Sequence, residues 1–415
     1  MNSFELISNK ITKTQKKFNI PIKNISYSDF LKLNSYSDRI YEFGNNTPLV
    51  NKGFQGNFNL SLVEHLWSQM SMTQNSLLSE SIFDYTNFRE YFVSLTSKCF
   101  RFNDVNEIVR GSINHGLLFH MCAVTGVQYL KADSNQTNGH IEYFIEFLDD
   151  FIDMRKLKIS IFQGGVIEKH GISKFFPKDP NYDFYLELSK KYGFKLMETN
   201  QETFLALKIY GSPSMWGYRN EFLYDLGDNL LDIGTFEFLN YLPKFDFDKG
   251  ETTYLDIVPS DKVFLGSVIG LERFSILLED KKELSEISLN IKLIELVKNS
   301  SNSKIDSKNI FLTSEILKIL FFVICENSQI TKKRRRKISH ILDLLVLNIV
   351  SFDIAVDIKF LKEYLELCKI YFYFDTVLFN RNIDAPQILY EEISIKLQLY
   401  ANRPSYRNRL ERYKE

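Results

Sequence analysis

Cysteine is scarce in this sequence. There are four in 415 residues (Cys99, Cys122, Cys325 and Cys368), dispersed and without CxxC or Cys/His spacing. That pattern excludes a disulfide framework and a structural zinc site, and the thiols read as small buried residues. Long apolar runs are also missing, and no window approaches the roughly twenty residues that a spanning helix needs. The opening residues, MNSFELISNKITKTQKK, lack the apolar centre of a secretory leader, so the expected compartment is the cytosol. Neither sign of charge dominates: 51 Lys and Arg face 52 Asp and Glu, for a net charge of −1. A nucleic-acid partner would therefore need a local basic patch. One candidate is the run Lys332, Lys333, Arg334, Arg335, Arg336, Lys337; the other is the tail with Arg403, Arg407, Arg409, Arg412 and Lys414. The tail reads as a solvated surface.

The length allows two domains, and 44% apolar with 25% charged residues is ordinary for a globular chain. From Asn57 to Leu78 the apolar positions have helical spacing. Short runs rich in β-branched and aromatic residues follow, including EYFVSLTS, KLKISIFQGG, ETFLALKIYG, NEFLYDLGD and LDIGTFEFLNYL. Several alternate by two and are separated by Gly, Asn, Asp or Pro, which predicts antiparallel strands with interleaved helices. Beyond Gly270 the period changes to three and four, as in TSEILKILFFVICEN and ISHILDLLVLNIVSFDIAV. The stretch Lys298 to Asn309, rich in Asn, Ser and Lys, reads as a loop. The prediction is α+β in front and all-α behind, divided near residue 285.

The fragment Gly266-Ser267-Val268-Ile269-Gly270-Leu271-Glu272-Arg273 resembles motif 3 of class II aminoacyl-tRNA synthetases, a strand running into a helix at Gly-φ-Glu-Arg. Glycine there lets backbone approach a nucleotide, and an arginine at the turn can stack on adenine while staying charged. GLER alone is a weak signal, but further segments resemble the alanyl enzymes in the family's own order. Thr96 to Glu107 is similar to QKCIR…HNDLENVG, and His115 to Lys131 to motif 2, HHTFFEMLG…DYFK. Gly211-Ser212-Pro213 and Asn220 to Gly227 resemble GPCGPCSEIYYDLG, and Leu231 to Tyr241 resembles EIWNLVFMQY. Thr313 to Ile341 lines up with the opening of the family's tRNA-recognising helical domain.

The resemblance implies a class II antiparallel sheet flanked by helices over 1–285 and a helical domain over 286–415, with no editing domain. It implies ATP-dependent amino-acid activation with Mg²⁺. On that alignment ATP would meet Arg273, Phe119, His120, Met121, Glu221 and Asp232, with Glu221 and Asp232 holding the metal. The amino acid would meet Thr235, Glu237 and Gly266. Both carboxylates also read as ordinary strand-end groups, and His115 and His120 as satisfied core or surface histidines.

Departures from the pattern shape the functional expectation. The motif 2 arginine falls on Ile113 or Asn114, leaving Arg110 or Arg101 as substitutes. The family's ammonium-binding acid falls on Gly266, and its Trp and Asn on Gly234 and Thr235, which argues against plain alanine use. Its asparagine-rich acceptor-reading turn is replaced by the basic run, which gives phosphate affinity without base readout. Two readings stand: an AMP-forming ligase acting on tRNA or on a specialised small-molecule acceptor, or a non-catalytic paralogue with a binding or regulatory role.

Overall fold

The computed structural model describes residues 6–7, 14, 22–24, 92–100, 104–110, 112, 114–129, 134–200, 203–206, 215–248, 251–326, 332–369 and 384–411. The helix expected over Asn57 to Leu78, Arg101, the Gly211-Ser212-Pro213 turn, and Arg412 and Lys414 lie outside those residues. The chain forms two compact units. One contains His120–Lys282 and the strand residues before Lys98; the other contains Lys98–Phe119 and Glu283–Glu415. No helix among the described residues is long and apolar enough to cross a membrane.

The first unit is built on a mostly antiparallel sheet. Its strands, in chain order, are β1 (Ile22–Asn24), β2 (Phe92–Phe100), β3 (Leu118–Tyr129), β4 (Leu157–Phe162), β7 (Lys195–Thr199), β8 (Phe204–Leu205), β9 (Trp216–Asp225), β10 (Leu230–Asp248) and β11 (Glu251–Gly270). They lie in the order β1-β2-β3-β11-β10-β9-β4-β7, with β8 added beside β9. The two ends are parallel pairs, β1 with β2 and β4 with β7. A separate hairpin, β5 (Gly165–Lys169) and β6 (Ile172–Phe176), turns through His170 and Gly171, both at positive φ. The fold expected from the sequence, a mostly antiparallel sheet with flanking helices and a helical region behind, is the one observed.

Alternation assigns the two faces of this sheet. Helix α2 (Ser134–Asp149) carries His140, Ile141, Phe144, Ile145 and Leu148 at helical spacing, all buried. It covers the face that carries Phe222, Phe236 and Ser267: Phe144 meets Phe222 edge-on, and His140 meets Phe236 edge-on and bonds Ser267 at 3.0 Å. Burial pushes His140 down to about 3, so its ring is neutral there. Helix α3 (Tyr182–Tyr192) crosses between β4 and β7, and α4 (Leu271–Leu278) follows β11 without a linker.

In the second unit, α1 (Asp104–Val109), α5 (Ser288–Asn299), α7 (Lys332–Phe352), α8 (Ile358–Cys368) and α9 (Ala385–Asn402) surround α6 (Ser307–Glu326). Helix α10 (Pro404–Glu411) packs on α7 and α9. From Ile310 to Phe322 every residue of α6 is buried, the mark of a central helix. Its buried Glu315 pairs with Lys318 and accepts the Leu117 amide at 2.7 Å. Lys318 donates to Asn290 at 3.1 Å, and Asn290 in turn donates to the Leu284 carbonyl at 2.6 Å. Each charge in the network has its partner, the condition under which a buried ion pair is tolerated.

Two glycines let the central strands lie as they do. A Cβ on Gly217 would fall 2.4 Å from the Phe238 carbonyl oxygen, and one on Gly234 would fall 2.5 Å from that of Val268. Both obstructions are backbone and cannot rotate away. Gly217→Ala should therefore destabilise the chain by about 1–3 kcal/mol or more, the usual cost of overpacking. Urea unfolding of the two chains measures this, and equal midpoints would contradict the packing described.

Candidate functional site

The face of the sheet opposite α2 carries a row of charge. On β9, Arg219 and Glu221 are two residues apart and so share a face. They pair with Glu237 and Thr235 on β10, and those two pair with Gly266 and Val268 on β11. Asp232 joins the same face because of an irregularity in β10: it pairs with Leu223, whereas Gly234 pairs with Phe222, so Ile233 is the extra residue. At the corner where β11 becomes α4, Arg273 reaches back to Asp232, donating to its carboxylate at 2.9 Å and its carbonyl at 3.3 Å.

Most of these groups are matched in charge. Arg219 donates to Glu221 at 2.6 Å, and the Glu221 amide donates to Ser160 Oγ at 2.7 Å. Glu237 is different. It is 1% exposed, and neither carboxylate oxygen has a hydrogen-bond partner among the described residues. Loss of hydration pushes its carboxyl up to about 8, and the Arg219 guanidinium only partly offsets this.

The other candidates from the sequence divide. Met121 is buried on β3, paired with Gly270 at the same corner. His120, its neighbour, points to the α2 side and is fully buried there. Its Nδ1 lies 2.7 Å from Glu272 Oε1, and its amide donates to Oε2 at 2.8 Å. Both oxygens of the Glu in GLER are thus used to tie α4 to β3, and His120 is a structural partner off the charged row. Phe119 is half-buried and is grouped with the second unit. Arg110 is at the end of α1, 74% exposed, and paired with Glu107 at 3.0 Å. The basic run from Lys332 to Lys337 opens α7. Gly234, where the family has tryptophan, has no space for a side chain and belongs to the α2 side of the sheet.

Sequence reading missed Arg219. The signal was available: two residues before Glu221 on an alternating strand means one face, so an arginine there stands beside that carboxylate. As for a metal, Glu221 and Asp232 offer oxygen donors on adjacent strands, and the described residues contain no cluster of three or more His, Cys, Asp or Glu set to hold one. Two carboxylates suit a hard cation that takes its remaining ligands from phosphate and water.

No protein-family model and no curated protein sequence matches this chain. Among solved structures it is similar to the crystal structure of apo S. aureus histidyl-tRNA synthetase, with TM-score 0.32 and 11% identity over 72% of this chain and 79% of that one.

The Glu237 carboxyl makes stability depend on pH. Its value is about 8 folded against 4.5 for the ordinary group. Between those values the folded chain holds more protons than the unfolded one, so stability falls as pH rises. Relative to Glu237→Gln, the natural chain should lose up to a few kcal/mol between roughly pH 5 and pH 8. Chemical unfolding of both chains across that range gives the difference, and parallel curves would remove the buried-carboxyl assignment.

Proposed function

We propose that this chain activates an amino acid with ATP, forming an aminoacyl adenylate and pyrophosphate, and passes the acyl group to tRNA or to a specialised small-molecule acceptor. The observation that carries this reading is the row of two arginine–carboxylate pairs on the sheet face opposite α2, Arg273–Asp232 at the β11–α4 corner and Arg219–Glu221 on β9. Attack of a substrate carboxylate oxygen on the α-phosphorus, with pyrophosphate leaving, builds negative charge on the phosphoryl oxygens. Fixed cations are the main means of stabilising it. Arg273 is the residue that would stack on adenine or face the phosphates. Glu221 and Asp232 would hold Mg²⁺, whose contribution is to neutralise phosphate charge. Their present arginine partners hold the carboxylates on this face. Four of the segments that resemble the alanyl enzymes, in β3, β9, β10 and the β11–α4 turn, lie side by side in the sheet, which supports the class of reaction and leaves the amino acid open.

The alternative, a non-catalytic paralogue, is favoured by one observation. Arg110, a candidate replacement for the motif 2 arginine, is on the surface and held by Glu107. Pyrophosphate exchange with each amino acid separates the two readings. Arg273→Ala should weaken ATP binding by about 1–2 kcal/mol, the scale of a desolvated cation–π contact, and should reduce exchange with it. Unchanged ATP affinity by calorimetry would count against the site.

The acceptor is tested independently. If tRNA is bound, Lys332 to Lys337 supply phosphate contacts, and log K falls by roughly 0.7–0.9 per contact per decade of salt. Reversing Arg334, Arg335 and Arg336 to glutamate should abolish tRNA retention on filters and leave exchange intact. Absence of tRNA binding by the natural chain at low salt would favour the small-molecule acceptor.

A further inference from the structure

We infer that Cys325 and Cys368 are a reversible dithiol–disulfide pair that locks the last turn of α6 to the last turn of α8 when the chain meets an oxidising small-molecule disulfide. Cys325 is the penultimate residue of α6, and Cys368 is the last residue of α8. Both carry thiols and both are buried, at 7% and 0% exposure. Their spacing in the sequence forms no motif, so the pairing comes only from how the two helices pack.

Tyr364 fixes the seam between those helices. Its hydroxyl donates to the Ser314 carbonyl at 2.6 Å and lies 2.8 Å from Ser314 Oγ. Its ring stacks on Phe321, with centroids 6.0 Å apart and planes 15° apart. A helical side chain leans toward the N-terminus of its own helix. Here the hydroxyl tip reaches the earlier residue of α6 and the ring body the later one. Helix α8 therefore runs in the same direction as α6, and the Tyr364 backbone stands beside the Phe321 turn. One helical turn further on, the same faces present Cys325 and Cys368. The two thiols are the next rung of the seam. Cys325 is accordingly close enough to act on the Cys368 thiol through its charge, as are Lys318 and Glu315.

Burial pushes the Cys368 thiol well up, so Cys325 opens the reaction. Helix ends open most readily, and there the Cys325 thiolate, its proton passed to solvent, attacks one sulfur of oxidised glutathione. The glutathione disulfide breaks, and one glutathione leaves as a thiolate that takes a proton from solvent. The mixed disulfide then faces Cys368 across the seam. Cys368 loses its proton, a step the Lys318 ammonium favours, and its sulfur attacks that of Cys325. The bond from Cys325 to glutathione breaks and the second glutathione leaves as a thiol. Two protein thiols are oxidised to one disulfide, and one glutathione disulfide is reduced to two thiols. The closed loop contains the whole of α7, with the basic run at its start. In a reducing compartment the pair rests open, as redox-sensing thiols do.

The test exposes the full folded chain to oxidised glutathione, then alkylates it in denaturant and digests it for mass spectrometry. The expected product is a cross-linked peptide pair holding Cys325 and Cys368, two hydrogens lighter than the separate peptides and released by dithiothreitol. The cross-linked chain should unfold about 5 °C or more above the reduced chain, as closing a long loop implies. Cys325→Ala and Cys368→Ala should each show neither the product nor the rise. Where a variant fails to fold, mapping of the natural chain decides the pairing by itself. Glutathione held at Cys325 without a cross-link, a cross-link through Cys99 or Cys122, or no reaction at either cysteine short of unfolding would each overturn the pair. A cross-link that lowers the unfolding temperature would overturn the lock, because joining the two sulfurs would then distort the native packing.

Discussion

A strand shows its residues to alternate sides, and the candidate site depends on one interruption of that rule. In β10 the residues Thr235 and Glu237 face away from α2, while Gly234 and Phe236 face toward it. Strict alternation would send Asp232 to the α2 side. The extra residue at Ile233 reverses it, so Asp232 stands with Glu221 and meets Arg273 from the next helix. One inserted residue therefore puts Asp232 within reach of Arg273 at the β11–α4 corner.

The packing behind the row makes that arrangement rigid. On the α2 side, aromatic rings from β9 and β10 lock against His140 and Phe144. Backbone crowds Gly217 and Gly234 so closely that neither strand can slide without a clash. In the second unit the same principle appears in polar form. Glu315, Lys318 and Asn290 are buried together, and the chain of bonds ends on backbone groups of Leu117 and Leu284. Removing one member would leave the others charged or unsatisfied in a dry interior.

Much of this was legible in the sequence because period is a local property. The strands around Glu221, Thr235 and Gly266, the strand-to-helix corner at Gly270, and the helices after it all follow from spacing. The Lys298 to Asn309 stretch reads as a loop, yet Lys298 and Asn299 finish α5 and α6 begins at Ser307, leaving a shorter connection. Helix α7 ends at Phe352, before the apolar Ile354-Ala355-Val356 that periodicity had joined to it. Long-range pairing was not legible. Nothing near His120 indicates that its partner is Glu272, 152 residues later. The bulge at Ile233 is marked only by Gly234 beside it, and a glycine inside a strand does not by itself say which residue is the extra one. Glu237 could be named from alignment, but its isolation is a property of three strands at once and only the folded sheet reveals it.

The double bond from Glu272 to His120 has a mechanical consequence. Its two oxygens hold a side chain and a backbone amide of β3, so α4 cannot rotate about Gly270 without breaking both. Arg273, the next residue, inherits that stiffness. Its guanidinium is carried on a lever pinned at two points, one on β3 and one at Asp232, so the corner is the stiffest part of this face.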